Sequence, residues 1–467
     1  MHARVVLRSV IFCFCLSMLL GLALPGSAQT STTGFIVGTV KDPSGATVAG
    51  ATVVATSPNS IQPHSATTGT DGSYTIPNLP PGNYTVSVSD VKGFSKYRQD
   101  NIAVNLGRST AVEIMLEVGS TSIEVVVNAN ATTIDVATTT AGSNVSTDQF
   151  SYFPTARNVQ GLYTIAPSAT RSGLRDASGR DRDPSIAGSS GPENNYILDG
   201  VSTADPAFGG GGANLPFEFV QEVEIKTGAY GAEYGKSTGG IFNVITKSGG
   251  NEIHGDVFGY FTPGGAVRPV KNFPFTGSAA NGFSEKDIGG DIGGPIVKDK
   301  LWFFGAVNPQ WRTNNYLTQA FFVPVKNDVT IPFYAGKVTW GISPKHTLTV
   351  STYSDFTKID GFLATAALNN VSGFGSDPKA FQGTQETGGH NYSFRLNSAF
   401  SPHFLAEIYG GLHFQRNNTT PLSTSLSMPL ISDSFSVLKS NAVLPVTSTG
   451  VQGAGGGYGQ HRVALQH

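Results

Sequence analysis

Cysteine is almost missing from this sequence: 467 residues hold two, Cys13 and Cys15, both inside the first apolar run. Beyond residue 15 no disulfide can form, so an exported chain of this make-up takes its stability from a large sheet, a packed core or a membrane. Charge is scarce as well. Asp, Glu, Lys and Arg are 13% of the residues and the formal net charge is −2, where ordinary soluble domains carry about 25% charged residues. Without clustered Lys and Arg there is no surface for a polyanion, and no nucleic-acid partner is expected. No stretch after residue 28 approaches the roughly 18 consecutive apolar residues of a membrane helix. Such a chain enters lipid only as a barrel, the other structure in which every backbone N–H and C=O is paired. His254, His346, His390, His403 and His413 are scattered without metal-ligand spacing. No catalytic residue, cofactor site or metal site is expected.

What is present begins with an export signal. Arg4 and Arg8 precede the apolar "VIFCFCLSMLLGLAL", and "GSA", ending at Ala28, supplies the small residues of a cleavage site. The apolar run of about 15 residues falls short of the roughly 20 that span a bilayer. Residues 1–28 are therefore expected to be a removed signal peptide that takes both cysteines with it. The remainder, rich in Gly, Thr, Val, Ser and aromatics, favours strands and turns.

One motif invites an enzymatic reading. "YGAEYGKSTGG" (230–240) contains Gly235-Lys236-Ser237, the end of a phosphate-binding loop. That loop needs a glycine five positions before Gly235, so that backbone N–H groups can wrap the phosphates. The position holds Tyr230, and "IFNVITKSGGNEIHGDVFGYF" follows where a helix should begin. Nucleotide hydrolysis is rejected.

Residues 34–117 read as a β-sandwich. "FIVGTV", "ATVVATS", "GSYTIPNL", "YTVSVSD" and "AVEIML" are short β-branched runs separated by "KDPSGATVAG", "GTDG" and "PPGN". With Gly38, Asp42, Gly45, Asp71, Gly72, Tyr74, Pro81, Gly82, Tyr84, Gly93 and Phe94 in place, the segment resembles the carboxypeptidase regulatory-like domain. The resemblance implies a transthyretin-like sandwich of the carbohydrate-binding-like group. Tyr74 and Tyr84 are expected in its core rather than at a sugar site.

Residues 118–130 are expected to form an accessible linker around the apolar strand Ile123-Glu124-Val125-Val126-Val127, a shape that another protein's sheet edge can capture. A flexible tract follows at "RSGLRDASGRDRDPSIAGSS". Its Asp176, Asp181 and Asp183 fit no calcium-loop register and are interleaved with Arg175, Arg180 and Arg182, so a solvated loop is expected. "EVVVNA", "FPTARNVQGLYTIAPS", "NNYILDGV", "QEVEIKTGAYGAEYGKSTGGIFNVITKSGGNEIHGDVFGYF" and "GGDIGGPIVKDKLWFFG" together resemble the TonB-dependent receptors of the Oar-like type. That resemblance implies a mixed α/β plug over 131–250 and makes Ile123, Glu124, Val125, Val126 and Val127 the TonB-box-like segment. It places Asn195, Tyr196, Leu198, Asp199, Gly200 and Val201 in the plug. Tyr234, Gly235, Ser237, Gly239 and Gly240 become a tight strand turn at the plug's end.

Residues 251–467 are expected to supply the first strands of a transmembrane antiparallel β-barrel, in an all-β dominated chain. Membrane strands face lipid and lumen at alternate residues. Tyr392, Phe394, Leu396 and Phe400 alternate with Asn391, Ser393, Arg395 and Asn397; Phe404, Ala406, Ile408, Gly410, Leu412 and Phe414 alternate with Leu405, Glu407, Tyr409, Gly411, His413 and Gln415. Ser343-Pro344-Lys345-His346 and Ser401-Pro402-His403 are short turns, while 358–388 and 418–450 are long polar segments. Trp302, Phe303, Phe304, Trp311 and Trp340 are expected in interfacial girdles. Seven strands are expected, near 252–261, 284–294, 301–313, 332–342, 347–357, 389–400 and 404–416, each about ten residues long where sandwich strands run five or six. Plugged transporters need about 22 strands, so the chain is expected to be the N-terminal portion of a longer protein, unable to insert as a channel alone.

The resemblance implies an outer-membrane receptor with a periplasmic N-terminal domain. Its partners would be a TonB-type energy-transducing protein, outer-membrane lipid and an unidentified extracellular ligand, whether glycan, siderophore or peptide. The alternative on the same scaffold is adhesion or glycan binding without transport. A secreted eukaryotic glycoprotein, prompted by sequons at Asn83 and Asn144, fits poorly with the lack of disulfides.

Overall fold

The computed structural model describes residues 32–57, 63–89, 91–119, 124–127, 140–150, 157–170, 183–204, 210, 213–231, 234–235, 237–267, 280–317, 324–343, 345–362, 382–401, 404–421 and 460–466. The signal segment, Ile123, Asp176, Asp181 and His403 lie outside them.

Nine strands make the first unit: β1 (Gly34–Lys41), β2 (Thr52–Thr56), β3 (His64–Thr67), β4 (Ser73–Leu79), β5 (Gly82–Val88), β6 (Lys96–Val104), β7 (Ser109–Ala111), β8 (Ile114–Met115) and β9 (Glu124–Val127). They form two sheets, β4-β1-β7 with β8 also on β1, and β3-β2-β5-β6-β9. Alternate residues of each strand meet between the sheets: Ile36, Val40, Val53, Ala55, Ile76, Val86, Ile102 and Val104 are buried together, as period-two patterning requires. Tyr74 and Tyr84 are core residues, as expected; their hydroxyls donate to Val112 O and Pro80 O, each at 2.8 Å. The linker expectation is corrected. Glu124–Val127 pair in parallel with Lys96–Gln99 of β6 and so complete the sandwich's second sheet.

The second unit carries β10 (Ala141–Ser146), short helices Thr147–Phe150 and Val159–Tyr163, β11 (Ala169–Thr170), β12 (Ser185–Ile186), β13 (Asn195–Leu198), β14 (Val201–Ser202), β15 (Val220–Gly228) and β16 (Ile241–Thr246). Its sheet runs β10-β15-β16-β13-β14. Tyr163, Tyr196 and Phe242 stack in its core, with ring centroids 4.3 Å apart for Tyr163–Phe242 and 5.3 Å for Tyr196–Phe242.

The rest is one antiparallel wall: β17 (His254–Thr262), β18 (Ala280–Val297), β19 (Leu301–Leu317), β20 (Pro324–Ser343), β21 (His346–Ser354), β22 (Thr357–Phe362), β23 (Gly383–Ser401), β24 (Phe404–Pro421) and β25 (Gln460–Gln466), in that order except that β22 pairs with β20 and β23. The seven expected strands are all present, but five of them run 17 to 20 residues, longer than the expected ten. They continue past the membrane-sized stretch into segments read from sequence as loops. The short connections, from β18 to β19, β20 to β21 and β23 to β24, share one end of the wall, and the long connections share the other.

The wall's outer face is apolar and bare. Val257, Phe261, Ile288, Ile292, Ile296, Val307, Trp311, Val338, Trp340, Val350, Phe394, Phe400 and Ile408 are all exposed large hydrophobics. A water-soluble sheet does not present such a belt, whereas a lipid-facing one requires it. Trp311 and Trp340 belong to this belt. Trp302 and Phe304 do not: both are buried on the inner face, where Trp302 Nε1 donates to Asn251 Oδ1 at 2.9 Å. For these two the girdle expectation fails, because odd and even positions of β19 face opposite ways. The inner face differs from a uniformly wet lumen as well. Phe304, Ala306, Val329, Ile331, Phe333, Ala335 and Tyr353 form one continuous core with Tyr196, Leu198, Val223, Ile225 and Phe242 of the second unit.

Candidate functional site: the hairpin between plug and wall

Asp199-Gly200 joins β13 to β14 as a two-residue hairpin, with Leu198 paired to Val201. Both turn residues have positive φ, 47° at Asp199 and 85° at Gly200, the left-handed pair that a type I′ turn demands and that Asp-Gly tolerates best. The Asp199 carboxylate then satisfies the end of β16: Thr246 N donates to Oδ1 at 3.1 Å and Thr246 Oγ1 to Oδ2 at 2.7 Å. From the wall, Lys337 Nζ reaches Asp199 Oδ1 at 3.0 Å and Thr246 O at 2.8 Å. Both charged side chains are over nine-tenths buried.

The hairpin touches two more wall strands. A Cβ on Gly200 would run into the Arg395 guanidinium of β23, and a Cβ on Gly411 of β24 would run into the Val201 side chain. Arg395 itself pairs with Glu407 and lies over the Tyr409 ring. Three successive residues, Asp199, Gly200 and Val201, thus meet three strands of the wall.

Two further ionic anchors flank this one. Arg157 pairs with Glu218 in its own unit and with Asp287 of β18 at 3.2 Å, and its guanidinium lies over the Tyr260 ring of β17. Lys247 pairs with Asp291 of β18 at 3.0 Å and Asp256 of β17 at 3.3 Å. Asn214 N donates to Asp355 Oδ2 at 3.0 Å, and Gly389 N to Asp355 Oδ1 at 2.8 Å, where β21 breaks before β22.

The sandwich is attached separately. Glu222 of β15 accepts from Leu106 N of the sandwich at 2.9 Å and from Asn144 Nδ2 at 2.6 Å; Asn144 Nδ2 also donates to Leu106 O, and Arg108 Nε donates to Asn144 Oδ1 at 2.7 Å. Burial pushes the Glu222 carboxyl up to about 7, against hydrogen bonds that favour the ion. Between sandwich, plug and wall lies a cavity of about 1010 Å³. Pro63–Thr67 of the sandwich, Lys247 of the plug and Lys337, Lys345, Thr347, Ser351 and Arg395 of the wall are among its lining. Lys345 and Ala399 place part of its lining beside the short connections of the wall; β9 sits on the opposite edge of the sandwich sheet from β3, which lines the cavity.

Other residues singled out in the sequence sit elsewhere. Tyr234 packs with Ile197, Ile241 and Tyr230, and Tyr230 OH donates to Ser237 O and Gly239 O. Gly239 and Gly240 have no room for a Cβ; Gly235 has open space. Twelve residues, 229–240, separate β15 from β16 where a tight turn was expected, and Lys236 lies outside the described residues. Among the described residues no group of His, Cys, Asp and Glu could hold a metal ion. Lys337, Arg157, Lys247, Asp287, Asp291 and Glu222 were not anticipated. The available signal was a charged side chain on the inward register of an otherwise apolar strand, as at Lys337 in "YAGKVTW".

Three family models match in order along the chain: the carboxypeptidase regulatory-like domain over residues 36–117, the TonB-dependent receptor plug domain over 135–241 and an outer membrane beta barrel domain over 245–330. The chain is similar to the TonB-dependent transporter Oar of Myxococcus xanthus, 38% identical over 325 residues, which cover 67% of this chain and 29% of that protein. It is also similar to the ferrienterobactin receptor of Escherichia coli (strain K12), 31% identical over 162 residues, 30% of this chain and 21% of that one. The chain spans less than a third of either relative's length. The siderophore receptor PirA from Acinetobacter baumannii aligns over 59% of this chain and 40% of its own, with a TM-score of 0.44 and 16% identity.

Proposed function

We propose that this chain, which belongs with the Oar-like TonB-dependent receptors of the outer membrane, carries the gate of an energised uptake route for an extracellular ligand. The plug is the gate, and the Asp199-Gly200-Val201 hairpin is its seat on the wall. The segment Ile123–Val127 is the handle that a periplasmic TonB-type protein takes as an added strand, and the sandwich lies on the periplasmic side. Proton-motive work applied there unseats the plug, which calls for no catalytic residue.

The observation that supports this reading most is the kind of contact between plug and wall. The seat combines an apolar core with a few buried ion pairs, which hold one geometry while intact and lose much of their energy together once water enters. A permanent core needs no such pairs.

The test uses the intact chain in detergent and the purified periplasmic domain of a TonB-type protein from the producing bacterium. Binding is expected for the intact chain and is expected to vanish when residues 122–128 are deleted. Equal binding by the deletion variant would remove the handle from this account.

A further inference from the structure

The segment read as the handle is not presented as a free linker. Glu124, Val125, Val126 and Val127 sit in register with Lys96, Tyr97, Arg98 and Gln99, parallel to β6. β9 is the last strand of its sheet, and among the described residues it pairs with no other strand. The chain is led to this edge from within the sandwich: Ser95 N donates to Glu117 O at 2.8 Å, Gly119 N donates to Gly93 O at 3.2 Å, and Phe94 bridges to Val118.

We propose that the β6 edge of the sandwich is a strand-binding site whose resting occupant is this chain's own residues 124–127, and that the TonB-type partner takes the segment by displacing it from β6. The proposal rests on the reading of Ile123–Val127 as the handle. Three features fit a site built for exchange. Parallel pairing is weaker per residue than antiparallel, and only four positions are paired, so the contact is one that a longer strand can replace. Lys96 and Glu124, of opposite charge, share one register position ahead of three otherwise equivalent valines. An apolar β-branched segment left extended in the periplasm is a template for aggregation; lodging it on β6 covers one of its edges and also caps the edge of β6.

This site changes what a pull does first. Between Val127 and the plug's first strand at Ala141 the chain has 13 residues, 128–140, enough to span about 45 Å when extended. Load on a segment still docked on β6 would fall on the sandwich; only after release would it reach the plug.

The test uses the full-length chain with Cys13→Ser and Cys15→Ser, so that introduced thiols are the only ones. Arg98→Cys with Val126→Cys places thiols at one register position, and Ser65→Cys with Val126→Cys places them on opposite edges of the same sheet. A short bis-methanethiosulfonate, which joins two thiols through reducible disulfides with loss of methanesulfinate, is expected to cross-link the first pair in more than half of the molecules and the second hardly at all. No excess over that control overturns the dock. The periplasmic TonB domain is then titrated against the cross-linked pair and against its reduced form. At least tenfold weaker binding to the cross-linked form supports displacement, and equal affinity overturns it. If the reduced form and the single-cysteine chains all fail to bind, the handle assignment is at fault, and the cross-linking arm still decides whether β6 holds the strand.

Discussion

Lys337 Nζ on the wall and Asp199 Oδ1 on the plug lie 3.0 Å apart, both side chains screened from water. The pair ties a hairpin whose shape was set by Asp-Gly to a strand nearly 140 residues further along the chain. Removing one partner of such a pair costs about 3–5 kcal/mol, because the other charge is left buried. Lys337→Met is therefore expected to loosen the plug markedly, read as faster trypsin cleavage within 135–241 in detergent. The double variant Asp199→Asn/Lys337→Met is expected to be less sensitive than Lys337→Met alone, since it leaves no charge stranded. Equal or additive damage in the double variant would mean that the pair is not a unit.

Glu222 makes the sandwich–plug junction pH-sensitive. Its folded-state value of about 7 lies above the ordinary 4.5, chiefly through desolvation. The sign follows from linkage: the folded state binds the proton more tightly, so the contribution is fully present below pH 4.5 and is lost as pH rises through 7. About 3 kcal/mol is at stake across that window. His64 works the other way. Burial lowers it to about 4, so stability falls as pH drops from 6.5 towards 4. The clean readout is a difference. Between pH 5 and 8 the thermal midpoint of Glu222→Gln is expected to rise relative to the parent as pH increases. Parallel curves would show that the carboxyl is not buried at this junction.

Gly411 is where β24 passes the hairpin. A Cβ there meets the Val201 side chain, and a larger side chain cannot fit without displacing the hairpin from the wall. Gly411→Leu is expected to leave the sandwich unchanged and to expose the plug to protease, whereas Gly410→Ala, on the outward register, is expected to do far less. Protease resistance in Gly411→Leu equal to the parent would place the hairpin away from β24.

On the lipid side, Ile292 is half-exposed on β18, next to Asp291, which points inward to Lys247. Ile292→Arg is expected to destabilise the wall in lipid by about 2–4 kcal/mol if it sits near the bilayer centre, and to be tolerated in a purely aqueous sheet. Chemical denaturation in lipid vesicles against the Ile292→Leu control measures the difference.

Much of this architecture was readable from residue order. Alternation in "NYSFRLN" separated Tyr392 and Phe394, which face outward, from Ser393 and Arg395, which face in. The hairpin at "LDGV" went unread, although Asp-Gly is one of the few dipeptides that accept two positive φ values. What stayed hidden was pairing between distant segments. Alternation says that Phe333 and Lys337 of β20 share a face, but not that the plug's core would cover the first and Asp199 the second. Trp302 and Phe304 were misplaced for the same reason: aromatic character suits a lipid interface and a plug core equally well. Glu124–Val127 looked like a linker because nothing local says that β6, 28 residues earlier, offers its edge.

Strands beyond residue 252 turn one face to lipid and the other to the plug. Single spin labels placed at each position from 390 to 397, with the chain in lipid vesicles, test this most directly through collision with oxygen and with a water-soluble nickel complex. A period of two is expected, with positions 392, 394 and 396 oxygen-accessible and 391, 393 and 395 shielded from both. Uniform access to the aqueous nickel complex along the strand would contradict it.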